Sequence, residues 1–201
     1  SEFLPVGKLP AARLDAILRR LPRHDPRVVL GPRLGEDAAV LDLDGRYLVA
    51  ASDPVTFASD RIGWYAVHVN ANDVAVLGAT PRWFLAVVLL PEGASTTELA
   101  AGIMAAVAST CDALDVTVCG GHTEITAELD RPIVIGQMLG EVSPERLVRK
   151  DRVQVGDQVI LTHGAAIEGT ALLAREKRAA LTGGLTADLL ARAEALLDTP
   201  G

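Results

Sequence analysis

Three aspartates stand where a solvated carboxylate would be the odd choice. Asp37 follows Glu36 in GEDAAV, at a loop-to-strand junction. Asp53 ends the strand-like run LVAAS and precedes a proline, and Asp73 lies within VNAND. Each is flanked by apolar sequence, where an unpaired carboxylate needs hydrogen-bond donors or a cation. Mg2+ takes one or two carboxylates and fills its other positions with water and nucleotide phosphates, so aspartates on three separate elements could hold two such ions. Those ions would reverse the local field and let a chain of formal charge −7 bind a triphosphate. The alternative gives Asp37 to a cap or turn, Asp53 to nearby backbone and Asp73 to an arginine. A second group follows the apolar run VTVC, where Gly120-Gly121 lead into His122, Thr123 and Glu124 in GGHTEIT. A turn needs one glycine; two point to backbone lying close to something that the polar triplet faces.

These groups need elements to position them. Over about residues 60–77, RIGWYAVHVNANDVAVL has helical apolar spacing. On that helix Val69, Asp73 and Leu77 share a face, as do His68 and Asn72, while Asn70 adjoins Asp73, so the Asp73 carboxylate falls at the edge of the core. GATP at 78–81 stops the helix. AARLDAILRRL predicts a short amphipathic helix, and PRHDPRVVLGPRLGED a loop. AAVLDL and RYLVAAS flank Asp44-Gly45, a hairpin signal. WFLAVVLL, apolar on both faces, predicts an interior strand or an oligomer-interface strand. Ser95 and Glu98 suggest a capping box for a helix striped by Leu99, Ile103, Val107, Cys111 and Leu114. VTVCGG and PIVIGQMLGEV read as strands. ERLVRKDRVQVGD then marks a boundary near 145–155, dividing residues 1–150 from a second unit, 151–201, that is too small for a full core. In that unit QVILT predicts a strand, HGAAIEGTALLAREKRAAL a loop and helix, and TADLLARAEALLD a last helix.

Composition narrows the function. With 49% apolar residues and a positive mean hydropathy the chain can build a core, yet no apolar run approaches the roughly 20 residues of a membrane span. The opening SEFLPVGKLPAARLD has no basic-then-apolar leader layout. Cys111 and Cys119 match no metal or redox spacing and read as small core residues in a reducing, cytoplasmic setting. The acidic balance argues against nucleic acid or an anionic membrane as partner. Phosphate-binding loops are missing as well. Val6-Gly7-Lys8 lacks the upstream glycine and following hydroxyl residue of a P-loop, and GPRLG at 31–35 is no dinucleotide fingerprint.

GEDAAV, SDPVTF, VNANDVAVLGATP and GGHTE, in this order and spacing, resemble the aminoimidazole ribonucleotide (AIR) synthase superfamily, or PurM-like proteins. That superfamily includes the hydrogenase maturation factor HypE, thiamine-monophosphate kinase and selenophosphate synthetase. Runs such as GKLP, IGWYAVHVNAND, PRWFLAVVLLPEG and IEGTALLARE point to the HypE-like, AIR synthase-related branch. The resemblance runs over nearly the whole chain. It implies an α/β (α+β) fold: a mixed sheet with helices on one side, pairing with its twin into a central barrel across a homodimer, then an incomplete carboxyl-terminal domain. It implies ATP held without a P-loop, through Mg2+ on Asp37, Asp53 and Asp73, with Gly120, Gly121, Thr123, Asn70 and Asn72 beside the nucleotide. His122, Glu124 and Lys8 are candidates for catalysis. The implied chemistry is phosphorylation of an amide or carbonyl-type oxygen of a small-molecule or protein acceptor. The alternatives are a thiamine-monophosphate-type kinase, or a nucleotide-binding dimerisation module without turnover. Departures are visible: Glu36 replaces the first Asp of the family's G-D-D-A-A motif, and Ser52 replaces the Thr before Asp53. The tail LLDTPG lacks the cysteine that HypE uses as acceptor, and SEFLPVGKLP lacks the reactive residue of selenophosphate synthetase. Glu168 in HGAAIEGT either lines the cleft or sits at a helix entry.

Overall fold

The computed structural model describes residues 3–22, 25–58 and 60–199. Arg23 and His24, within the stretch expected to be a loop, and the terminal Pro200-Gly201 lie outside the described residues. Helix α1 (Ala11–Leu18) and the short strand β1 (Val28–Leu30) precede a hairpin of β2 (Ala39–Leu43) and β3 (Arg46–Val55). Its turn is Asp44-Gly45, both at positive φ (53° and 86°), the backbone that matches the twist of two-residue hairpins.

Helix α2 (Ile62–Ala75) follows and ends before Gly78, whose φ of 78° suits glycine. Strand β4 (Thr80–Pro91), helix α3 (Thr97–Ala113) and β5 (Thr117–Thr126) form a parallel strand pair joined by a crossover helix. β6 (Ile133–Val142) then inserts between β3 and β4, giving the order β1-β2-β3-β6-β4-β5 with every other pairing antiparallel. This is the mixed-sheet α+β architecture expected from the sequence. Helices α2 and α3 lie on one face of the sheet and touch closely: a Cβ on Gly63 would come within 2.7 Å of the Ile103 carbonyl oxygen. Phe84, Ala86, Val88 and Leu90 of β4 are buried, whereas Trp83, Leu85, Val87 and Leu89 on the opposite face are only half-buried.

Four expectations are corrected. The cap of α3 is Thr96, whose Oγ1 accepts from the Leu99 N–H at 3.2 Å, while Ser95 Oγ donates to the Pro91 carbonyl. Gly120-Gly121 do not leave a buried strand; they lie inside β5, an edge strand exposed along almost its whole length. Cys111 is buried, but Cys119 sits on that exposed edge. QVILT forms no strand: Val159, Ile160 and Leu161 are 102%, 82% and 70% exposed, and the segment pairs with neither edge of the sheet among the described residues. Helices α4 (Ile167–Glu176), α5 (Arg178–Leu181) and α6 (Ala187–Ala195) close the chain, and Ala171 and Leu197 join the main core.

Candidate functional site

The three aspartates arrive from different directions. Asp37 precedes β2, Asp53 sits near the end of β3, and Asp73 projects from the last turns of α2. Asn70 sets the spacing between the last two. It is completely buried; its Oδ1 accepts from the Asp53 N–H at 2.8 Å, and its Nδ2 donates to the Asp53 carbonyl at 3.2 Å and the Ala66 carbonyl at 2.8 Å. Gly136 of β6 makes room for this clamp, since a Cβ there would approach Asn70 Nδ2 to 2.3 Å. With its amide fully engaged inside the core, Asn70 fixes α2 against β3 and is in no position to touch a nucleotide directly.

One consequence of this packing is electrostatic. The Asp73 carboxyl is pushed up from 3.8 to about 7, first by burial, then by the fields of Asp53 and Asp37 and a hydrogen bond shared with Asp53. Lys8 acts on it in the opposite sense, which places the GKLP segment beside the same group. Three carboxylates from three elements therefore share one region. Asp37 also has a cation of its own: Lys150 Nζ lies 3.6 Å from Asp37 Oδ2 and 3.7 Å from Glu36 Oε2, and Arg33 Nη2 reaches Glu36 Oε1 at 2.9 Å. Among the described residues no group of three or more His, Cys, Asp or Glu side chains stands at metal-holding spacing. The acidic donor set has the hard-oxygen chemistry that Mg2+ requires, and the Asp53–Asp73 contact is the part of it already assembled.

The glycine pair has a different local reason from the one its sequence suggested. Gly121 takes φ of 151°, and a Cβ on it would come within 2.0 Å of the Ala86 carbonyl oxygen. The close neighbour that glycine admits here is the backbone of β4. Asp53, Gly136, Ala86 and Gly121 stand in register across the sheet. At about 4.8 Å per strand, Gly121 is roughly 14 Å from Asp53. His122 and Glu124 align with Val87 and Leu89 on the open face, where His122 Nε2 lies 3.3 Å from Glu124 Oε2 and Thr126 Oγ1 donates to Glu124 Oε1 at 3.0 Å. Thr123 aligns with Val88, on the helix-covered side. His122 and Thr123 thus project to opposite sides of the strand and do not face one ligand together.

Glu168, at the start of α4, borders a small cavity against α2 with Trp64, Tyr65, His68 and Asn72. Burial first, and then Asp53, raises the Glu168 carboxyl. Burial lowers His68, against a hydrogen bond from its Nδ1 to the Trp64 carbonyl at 3.1 Å, so its neutral form is favoured. Tyr65 Oη is buried without a partner among the described residues. Neither Tyr65 nor Lys150 stood out in the sequence. A tyrosine on an apolar helix face and a lysine in a charged turn carry no local mark of the carboxylates that folding brings near them.

Residues 35–142 match the family model "AIR synthase related protein, N-terminal domain". The chain is 31% identical over 147 residues to the carbamoyl dehydratase HypE of Rhodobacter capsulatus, spanning 72% of this chain and 43% of that protein. It is 30% identical over 140 residues to the selenide, water dikinase of Dechloromonas aromatica, spanning 68% of this chain and 39% of that one. The thiamine-monophosphate kinase of Aquifex aeolicus, solved with AMPPCP and TMP, superposes with a TM-score of 0.65 at 22% identity, over 82% of this chain and 53% of its own. The chain spans about half the length, or less, of the curated relatives it matches. Mixed sheet, acidic positions and family model coincide over the same residues, and the chain belongs to the AIR synthase related protein family through its N-terminal domain.

Proposed function

We propose that this chain carries the metal- and nucleotide-binding apparatus of an ATP- and Mg2+-dependent enzyme of the AIR synthase/HypE class. The enzyme would activate an amide or carbonyl-type oxygen by phosphorylation. The observation that carries this reading is the convergence of Asp73 with Asp53 and Asp37; burial first, and then the fields of those two carboxylates, raises the Asp73 carboxyl to about 7. Carboxylates held this close repel one another unless a proton or a cation lies among them. Asp37, Asp53 and Asp73 would hold Mg2+, and the ion would supply charge neutralisation at the phosphates. Asn70 keeps Asp53 and Asp73 together, Lys8 brings a positive charge to the same side, and Lys150 must release Asp37 for it to serve as a ligand. Such a site works by positioning and by countering charge, with no covalent residue required. Names of the relatives, a dehydratase and a dikinase, and the ATP analogue bound by the solved kinase support the reading.

Residues 151–201 are read as the start of a second domain. The exposed run from Val153 to Leu161, a strand's worth of apolar side chains with no strand partner among the described residues, leaves that unit's sheet unformed and favours nucleotide binding without turnover by this chain. The half-buried apolar face around Trp83, Val87 and Leu89 supports a homodimer formed sheet to sheet in a cytoplasmic protein. Calorimetry with Mg·ATP tests the binding claim, which fails if affinity is the same in excess EDTA. Turnover of ATP would favour the complete enzyme, and binding without turnover the module. A monomer at micromolar concentration by sedimentation would remove the dimer.

A further inference from the structure

The far end of the sheet collects guanidinium groups. Arg46 opens β3, seven residues and about 23 Å along the strand from Asp53. Arg82 lies near the start of β4, and Arg146 follows β6. With Thr80, Glu141 and Ser143 these arginines line one open cleft of about 220 Å³.

Gly78 helps to build it. A Cβ on Gly78 would come within 2.6 Å of the Arg146 carbonyl oxygen, and the Val148 N–H donates to the Leu77 carbonyl at 3.0 Å. Glycine at the end of α2 therefore lets the 146–148 backbone close over the helix and fixes Arg146 at the cleft.

The cations are poorly matched by protein. Arg46 Nη2 reaches Glu141 Oε2 at 3.4 Å, and Arg82 Nη1 approaches Asp115 Oδ2 at 3.6 Å, a carboxylate that is 97% exposed. Arg146 forms no salt bridge among the described residues; the neighbouring Glu145 is engaged by the Ser143 hydroxyl and feels Arg146 only through space. Inside the cleft, three guanidiniums face the single carboxylate of Glu141. Like charges gathered in a concavity repel, and planar guanidiniums beside hydroxyl groups match the geometry of phosphate oxygens.

We infer that this cleft binds a small phosphate-bearing anion, independently of divalent cation and of the acidic cluster. The test uses the whole chain in EDTA, titrated calorimetrically with inorganic phosphate, pyrophosphate and a phosphate monoester. Saturable binding is expected, with the strongest of the three indicating whether a free ion or an ester is preferred. A double variant, Arg82→Gln with Arg146→Gln, should weaken it by about a hundredfold, since each lost charge-assisted contact is worth about tenfold. Both changes lie on the surface, and an unchanged circular dichroism melt would verify the fold. Asp73→Asn should leave phosphate affinity as it is, so this inference and the metal–nucleotide reading fail separately. No saturable binding, equal response to chloride, or wild-type affinity in the double variant would overturn it. So would loss of a dimer in the double variant without any phosphate response, which would assign the arginines to carboxylates of a second copy.

Discussion

Replacing Asp73 by Asn should strengthen the fold and abolish Mg·ATP binding together. Asn keeps the shape and can still donate to Asp53, but it carries no charge. The Asp73 carboxyl is raised from 3.8 to about 7, with burial as the main cause. That difference would correspond to about 4 kcal/mol for a fully buried group. Asp73 is half-exposed, and solvent screening reduces the expected gain to about 1–2 kcal/mol. The sign follows from linkage. With the folded value raised, the stabilisation is fully present below the unfolded value near 4 and is lost as pH rises through about 7. The advantage of Asp73→Asn should therefore be absent near pH 4, grow between 4 and 7, and stay level above. Urea denaturation in EDTA at pH 4.5 and pH 8 measures the gain; calorimetry at pH 8 measures Mg·ATP binding. A variant less stable than wild type at pH 8 would refute the carboxylate-repulsion argument. Unchanged nucleotide affinity would remove Asp73 from the site. Mg2+ binding to wild type should also release a proton below pH 7, so its affinity should rise with pH.

Other changes probe the supporting frame. Asn70→Ala removes three hydrogen bonds and leaves the half-buried backbone of Asp53 without its side-chain partner; a loss of about 2–4 kcal/mol is expected by urea denaturation, together with weaker Mg2+ binding. Gly121→Ala forces a Cβ against the Ala86 carbonyl and should cost about 2–3 kcal/mol, with amide exchange speeding up first along β5. Tyr65→Phe removes a buried hydroxyl that has no partner and should be neutral or stabilise by about 1 kcal/mol; a loss above 1 kcal/mol would show that Tyr65 Oη is engaged in solution.

Local sequence determined most of the elements. Positive-φ positions at Asp44-Gly45, the helical spacing around VNAND and the uninterrupted apolar run of β4 are properties of neighbouring residues, and backbone sterics and hydrophobic burial act on them directly. The motif order likewise identified the family. What the sequence could not decide was which side each group would face and what it would meet there. QVILT is a strand by composition, but a strand also needs a partner strand, and among the described residues it pairs with none. Gly120-Gly121 announce close backbone approach, yet only the parallel pairing of β4 and β5, more than thirty residues apart, makes Ala86 the neighbour. Lys150 beside Asp37, and Asn70 spanning Asp53 and Ala66, follow from the same cause. Carboxylate fields, hydrogen bonds and Cβ contacts depend on distances through space, and those distances exist only once the chain has folded.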